Sequence, residues 1–173
     1  MKSNKFLRAI VILLLLTLNI GCDQVSKSIV RHNMNFYSHV GFLHDHITIS
    51  KVENTGAFLS LGDSLSGPLR MILLNIIPFM AIAFGLYFIF TKNLNRIVLF
   101  GLILIIGGGA GNLYDRIAHG SVTDFLYINF VIFQTGVFNV ADMSIMAGML
   151  IILIYSFLKK KDEAEVSNVS DGN

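Results

Sequence analysis

Gly107-Gly108-Gly109-Ala110-Gly111-Asn112-Leu113-Tyr114-Asp115-Arg116, then Gly120-Ser121-Val122-Thr123-Asp124-Phe125, then Phe138-Asn139-Val140-Ala141-Asp142 is the stretch on which the reading of this chain turns. A glycine-rich apolar run leads into Asn112, Asp115 and Arg116. Two further carboxylates, Asp124 and Asp142, lie beside or inside strongly apolar sequence. An ionisable side chain at the edge of a bilayer is costly, and by default it marks a functional site. The rest of the chain is expected to hold these groups at a membrane surface.

Working outward, the 173 residues suggest one domain. They are 54% hydrophobic and 14% charged, whereas an ordinary soluble domain is about 25% charged. A membrane protein is the first reading. A net charge of +2 without a basic stripe argues against nucleic acid. The single cysteine, Cys22, excludes an internal disulfide framework and a Cys-based metal site.

Four apolar spans are expected, at Phe6 to about Val25, Leu69–Phe90, Ile97–Asn112 and Val137–Leu158. The second and fourth are each 22 residues long, enough to cross a core of about 30 Å at about 1.5 Å per residue. The first span has rivals: a cleaved secretory signal, or a lipoprotein signal ending at Gly21-Cys22. Asn19 stands where a lipobox wants an aliphatic residue. An uncleaved helix is the preferred reading, with a lipid-modified Cys22 as the minor one. Pro78 is expected to kink the second span, with Arg70 snorkelling at its first turn. Small residues four apart around Gly107–Gly111 let helices approach closely in lipid. A phosphate loop fits poorly, because no Lys-Ser/Thr follows.

The connections 26–68 and 113–136 are too polar to span. His46–Val52 alternates with period two, which predicts a half-buried strand. Asn54-Thr55-Gly56 reads as a turn, Gly62-Asp63-Ser64 and Ser66-Gly67-Pro68 as loop, and Phe130–Phe133 as another short strand. The fold class is an all-α membrane protein with four transmembrane helices, a small extracytoplasmic sheet and a short extracytoplasmic loop. Residues 1–161 form the domain, and 162–173 a disordered cytoplasmic tail.

Eight of the 13 Lys and Arg residues, namely Lys2, Lys5, Arg8, Lys92, Arg96 and Lys159–Lys161, fall on one side of four spans. By the positive-inside rule that side, with both termini, is cytoplasmic. Asp23, Asn112, Asp124 and Asp142 then converge near the external face. Asn139 and Asp142 share a helix face, and Asn112 and Arg116 share another. Two carboxylates meeting in a partly dry site share a proton. One activates water while the other polarises a carbonyl, which is aspartyl peptidase chemistry without a metal or cofactor.

Other readings compete. Intramembrane carboxylates also serve transport, although no acidic residue stands at the midplane of spans one to three. A structural reading has Asp142 capping the fourth helix and Asn139 bonding across helices. His44 and His46 fit no closed zinc pattern. Asp23 and Lys27, four apart, read on their own as a solvated interfacial pair, and Asp115 as a structural partner of Arg116 or of a backbone amide.

The assembled blocks resemble the signal peptidase II family of lipoprotein signal peptidases: Asp23-Gln24-Val25-Ser26-Lys27, Asn54-Thr55-Gly56-Ala57, Gly107 to Arg116, Val122-Thr123-Asp124-Phe125 and Phe138 to Asp142. The resemblance implies a monomeric four-span aspartyl endopeptidase of the bacterial inner membrane. Its substrates would be diacylglyceryl-modified prolipoproteins, cut before the lipidated Cys, with membrane lipids as its other partners. Asp124 and Asp142 would be the catalytic dyad. Asp23, Lys27, Asn54, Gly108, Asn112, Arg116 and Asn139 would support it or bind substrate. The chain departs from the family pattern at Ala57-Phe58-Leu59, at Glu53 and at Leu126-Tyr127. A non-cleaving paralogue that binds lipidated peptides, or a small transporter, remain the alternatives.

Overall fold

The computed structural model describes residues 5–36, 38–56, 67–130 and 132–170, with side chains as far as Lys160. Lys2, the Ala57-Phe58-Leu59 block, the Gly62-Asp63-Ser64 loop, Ser66 and the last three residues lie outside the described residues. Among the described residues four helices are long and apolar enough to cross a membrane: Lys5–Asn33, Gly67–Thr91, Arg96–His119 and Val140–Lys160.

Helix α1 (Lys5–Asn33) continues well past the end expected at Val25. Ile12, Leu16, Asp23, Lys27 and Val30 are all buried and fall on one stripe. The stripe changes from apolar to charged without leaving that face, so helix and burial outlast the hydrophobic run. Cys22 is an exposed free thiol within it. The second rod has three parts: α2 (Gly67–Met71), a π turn (Ile72–Ile76) and α3 (Ile77–Thr91). The kink expected at Pro78 takes the form of this wider turn. Proline has no N–H to give and its ring crowds the carbonyl four residues back, and Ile77 N–H bonds Ile72 O. Arg70 Nε donates to Thr55 O at 2.9 Å, tying the start of this rod to the preceding connection.

Helix α4 (Arg96–His119) is capped by Asn95, whose side chain accepts from Ile97 N, and it ends on Gly120 at φ 78°. It runs seven residues beyond the end expected at Asn112, because its glycines pack instead of breaking the helix. A Cβ at Gly108 would collide with Ala141 O, and one at Gly111 with the Asp23 carboxylate. Helix α5 (Val140–Ser170) starts three residues later than expected, since Phe138 is held in a bridge to Leu126. Its backbone stays helical to Ser170, where the sequence suggested a disordered tail from Asp162. No glycine or proline stands between Gly148 and Gly172 to stop it.

The connections build an antiparallel sheet in the order β1-β2-β3-β4. Its strands are β1 (His39–Phe42), β2 (Ile47–Asn54), β3 (Val122–Phe130) and β4 (Phe133–Gln134). Phe130 and Phe133 are not in one strand; they close the β3–β4 hairpin as a pair. The register of β2 on β3 shifts between Ile49 and Val52, which sets Val52 opposite Asp124. Gly56 N–H donates to Asn54 Oδ1 at 3.0 Å, so the expected turn is closed by the asparagine side chain.

Ile12, Leu16, Ile89, Ile103 and Ile106 form the apolar core between α1, α3 and α4. At one end of the bundle Arg8 donates to Ile89 O and Lys92 O, at 2.9 and 2.6 Å. The polar residues of interest gather at the other end.

Candidate active site

Asn139 and Asp142 close the first turn of α5 on each other. Asn139 Oδ1 accepts from Asp142 N at 3.0 Å, and Asn139 N donates to Asp142 Oδ2 at 3.2 Å. This is a capping box with Asp in the place usually taken by Glu or Gln. The cap leaves a hydrogen on Asn139 Nδ2 pointing across to β3, where it reaches Asp124 Oδ1 at 2.6 Å. Asn139 therefore touches both carboxylates. Capping and cross-helix bonding, set out above as a structural reading, are both present here, and they are what brings the two acids together.

Two more amides complete the arrangement. Asn54, at the end of β2, donates from Nδ2 to Asp124 Oδ2 at 2.8 Å. Asn112, on α4, donates from Nδ2 to Asp142 Oδ1 at 2.8 Å. Each amide is oriented by what its oxygen accepts: Gly56 N for Asn54, Lys27 Nζ and Asn139 Nδ2 for Asn112, and Asp142 N for Asn139. Among the described residues the hydrogen bonds to these carboxylates thus come from neutral groups. Asp124 is 3% exposed. Burial pushes its carboxyl up to about 6 and the charge of Asp142 adds to this, against the bonds from Asn54 and Asn139.

Beneath this pair lies a charged cluster. Lys27 Nζ donates to Asp23 Oδ2 at 2.8 Å, Asp115 Oδ2 at 2.9 Å and Asn112 Oδ1 at 2.9 Å, which uses all three of its hydrogens. Arg31 pairs with Asp115 Oδ1 at 2.7 Å, and its Nε reaches Thr123 Oγ1 at 2.7 Å. Gln24 Nε2 lies within 3.1 Å of Gly111 O and of oxygens on Asp23 and Asp115. Asp23 Oδ1 accepts from Ala141 N at 2.9 Å, next to Asp142.

Two expectations are corrected here. Asp23 and Lys27 are not a solvated pair: both are 0% exposed. Asp115 is partnered by Lys27, Arg31 and Gln24 and not by Arg116, because Gly108, Gly111 and Asp115 share the face of α4 that turns inward. Arg116, one position on, points elsewhere and donates to Gly56 O at 3.0 Å. Gly108 permits the close approach of α5 described above.

The sequence reading missed Gln24, Arg31 and Thr123. Gln24, Lys27 and Arg31 stand three and four apart, a signal usable only once α1 is carried past Val25. Glu53, noted as a departure, accepts from Ser121 Oγ at 2.6 Å and Thr123 Oγ1 at 3.0 Å. It fastens β2 to β3 beside Asp124. Of the other departure, Leu126 joins Phe138 through paired backbone bonds. His46 stacks on Phe130 and bonds Asn129 O. Among the described residues no group of three or more His, Cys, Asp or Glu side chains is placed to hold a metal ion.

Two carboxylates bridged by one asparagine, at the mouth of an apolar bundle and next to a sheet edge, can share a proton and activate water against a carbonyl. The family described as Signal peptidase (SPase) II matches residues 13–158. A lipoprotein signal peptidase of Clostridioides difficile (strain 630) is 34% identical over 143 residues, covering 83% of this chain and 92% of that protein. One of Borrelia duttonii (strain Ly) is 33% identical over 154 residues, covering 86% and 90%. A bacterial membrane enzyme solved by the in meso method at 2.3 Å resolution superposes with a TM-score of 0.77 at 28% identity, covering 88% of this chain and 90% of its own.

Proposed function

Because the chain belongs to the signal peptidase II family, we propose that it removes the signal peptide of diacylglyceryl-modified prolipoproteins, cutting before the lipidated Cys with Asp124 and Asp142 as its catalytic dyad. The observation that carries this reading is Asn139, which bonds both carboxylates at once.

In the resting dyad one proton is shared. Asp124, its carboxyl pushed up to about 6 by burial, is the member suited to hold that proton. Asp142 takes a proton from water as the water oxygen attacks the scissile carbonyl carbon, and Asp124 gives its proton to the carbonyl oxygen. As the tetrahedral intermediate collapses, Asp124 takes back a proton from one of its hydroxyls, the C–N bond breaks, and the proton on Asp142 passes to the leaving nitrogen, which restores the dyad. The products are a signal peptide ending in a new carboxylate and a lipoprotein with a free amine on its lipidated Cys. Asn112 and Asn139 keep the carboxylates in register, and Asn54 holds the second oxygen of Asp124. Asp23, Lys27 and Gly108 support the first turn of α5 from below, and Arg116 faces the substrate.

The basic end of the bundle, where Arg8 meets the end of α3, is assigned to the cytoplasm by the positive-inside rule. The dyad then opens near the external face, where a lipid-anchored substrate keeps its scissile bond close to the bilayer. One chain supplies the whole dyad, so a monomer suffices. The test is cleavage of a lipidated prolipoprotein by wild type, Asp124→Asn and Asp142→Asn. Each variant is expected to lose about 10³-fold or more in kcat. Equal turnover by all three would overturn the reading, and tight binding without turnover by wild type would assign the chain to a non-cleaving role.

A further inference from the structure

A cavity of about 430 Å³ opens between the π turn with α3 on one side and α4 on the other, lined by Met71, Asn75, Ile76, Phe79, Arg116 and Ile117. Four of these walls are apolar. Asn75 and Arg116 are not, and each has a buried polar atom without a hydrogen-bond partner among the described residues: Asn75 Oδ1, an acceptor, and Arg116 Nε, a donor. A buried polar group left unmatched is costly, so such an atom is poised to take a partner. Arg116 NH2 is already engaged, donating to Gly56 O at 3.0 Å. Asn75 lies within the π turn, and such insertions in helices gather at functional sites.

The two atoms are chemical opposites. A ligand that satisfies both must bring an acceptor to Arg116 and a donor to Asn75. A main-chain amide carries the two on adjacent atoms. The glycerol esters of a lipid anchor carry acceptors only. Position favours the peptide as well. Arg116 lies in the field of Asp142 and Asp124, one helical turn along α4 from Asn112, which holds Asp142. That turn is about 6 Å, or roughly two residues of extended peptide. A membrane-anchored substrate must also unwind to be cut. Unwinding frees amide groups in an apolar medium, where each is costly unless it finds a partner.

We propose that this cavity is a subsite for one main-chain amide of the signal peptide, about two residues from the scissile bond, with C=O accepting from Arg116 Nε and N–H donating to Asn75 Oδ1. The flanking side chain lies on Met71, Ile76, Phe79 and Ile117. Asn75 thereby becomes a specificity-determining residue. The inference rests on the peptidase reading.

The experiment is a cycle between Asn75→Leu and substrates N-methylated one amide at a time around the scissile bond, using the full chain in lipid-detergent micelles. Asn75→Leu should raise KM about tenfold with kcat within about twofold. One N-methylated substrate should lose about tenfold against wild type and lose nothing further against Asn75→Leu. The same cycle is read as Kd with peptides whose scissile bond is reduced, so a chain that binds without cutting still answers, while absent turnover by wild type tells against the peptidase reading alone. Asn75→Ala repeats the reading should the leucine variant not fold. If no N-methylated position couples to Asn75, the pair holds solvent only and the proposal fails. If replacing lipid esters by ethers couples to Asn75 instead, the subsite belongs to the lipid anchor and the proposal also fails.

Discussion

The bundle carries two polar layers at one end, and they are built on opposite principles. The inner layer sets Lys27 and Arg31 against Asp23 and Asp115: two cations, two anions, every ammonium hydrogen of Lys27 used. The outer layer sets two carboxylates, Asp124 and Asp142, among the neutral amides of Asn54, Asn112 and Asn139. Direct ion pairs fix the first layer, while among the described residues the hydrogen bonds to the second layer's carboxylates come from neutral groups, which suits the proton exchange proposed for it. The layers meet at Asn112, whose oxygen faces Lys27 and whose nitrogen faces Asp142. The comparison gives each layer its own failure mode: losing a charge below should unfold the protein, and losing an amide above should change its chemistry.

The largest effect is expected at Lys27. Lys27→Met leaves Asp23 and Asp115 buried with one cation in the layer, Arg31, which pairs with Asp115. Removing one partner of a buried ion pair costs about 3–5 kcal/mol, so thermal unfolding in detergent should move down steeply. Asn54→Ala, in the outer layer, should cost stability on the scale of one buried bond to a charged group, about 1.5–3 kcal/mol. If the two variants melt together, the layers are not distinct in kind.

Gly108 tests the spacing that both layers depend on. Gly108→Ala places a methyl group against Ala141 O, in the turn that carries Asp142 and bonds Asp23. A shift of about 1 Å in a catalytic group costs about 10²-fold. The loss should appear in kcat with KM little changed. A KM effect of the same size would mean that α5 positions substrate and not the dyad.

How much of this the sequence could reveal divides along the same line. The outer layer was readable, because Asn139-Val-Ala-Asp142 is a local pattern and apolar length alone marks the spans around it. The inner layer was not. Apart from the Asp23–Lys27 pair, four apart on α1, its bonds join α1 to α4 across some ninety positions, as between Gln24 and Asp115, and no local spacing encodes those. Ending α1 where hydrophobicity ends hid the fact that Lys27 and Arg31 continue its buried face. Asp115 and Arg116 are neighbours in sequence, yet about 100° of helix turn sends them to different partners. The π turn was legible only as Pro78, since a missing N–H predicts a disturbance and not its form.

The pH profile sharpens the outer layer. Burial raises Asp124, so the shared proton should leave near pH 6 in the free enzyme and kcat/KM should fall on the alkaline side of that value. The bond from Asn54 holds Asp124 lower than burial alone would. Asn54→Leu removes that bond, raises the carboxyl further and should carry the alkaline limb to higher pH. A limb that moves to lower pH would assign the titration to another group.

The smallest effect belongs to the opposite end of the bundle, where neither layer reaches. Arg8 donates to Ile89 O and Lys92 O at the end of α3, carbonyls that an ending helix leaves without partners. A cation in that position stabilises by about 0.3–1 kcal/mol through the helix dipole, and salt screens it. Arg8→Gln keeps one donor and loses the charge, so the melting point should fall by a degree or two, less at high salt, with kcat, KM and the alkaline limb where they were. An activity change at Arg8 comparable to that at Gly108 would mean that the dyad senses the far end of α1, and the separation between a structural end and a chemical end of the bundle would not hold.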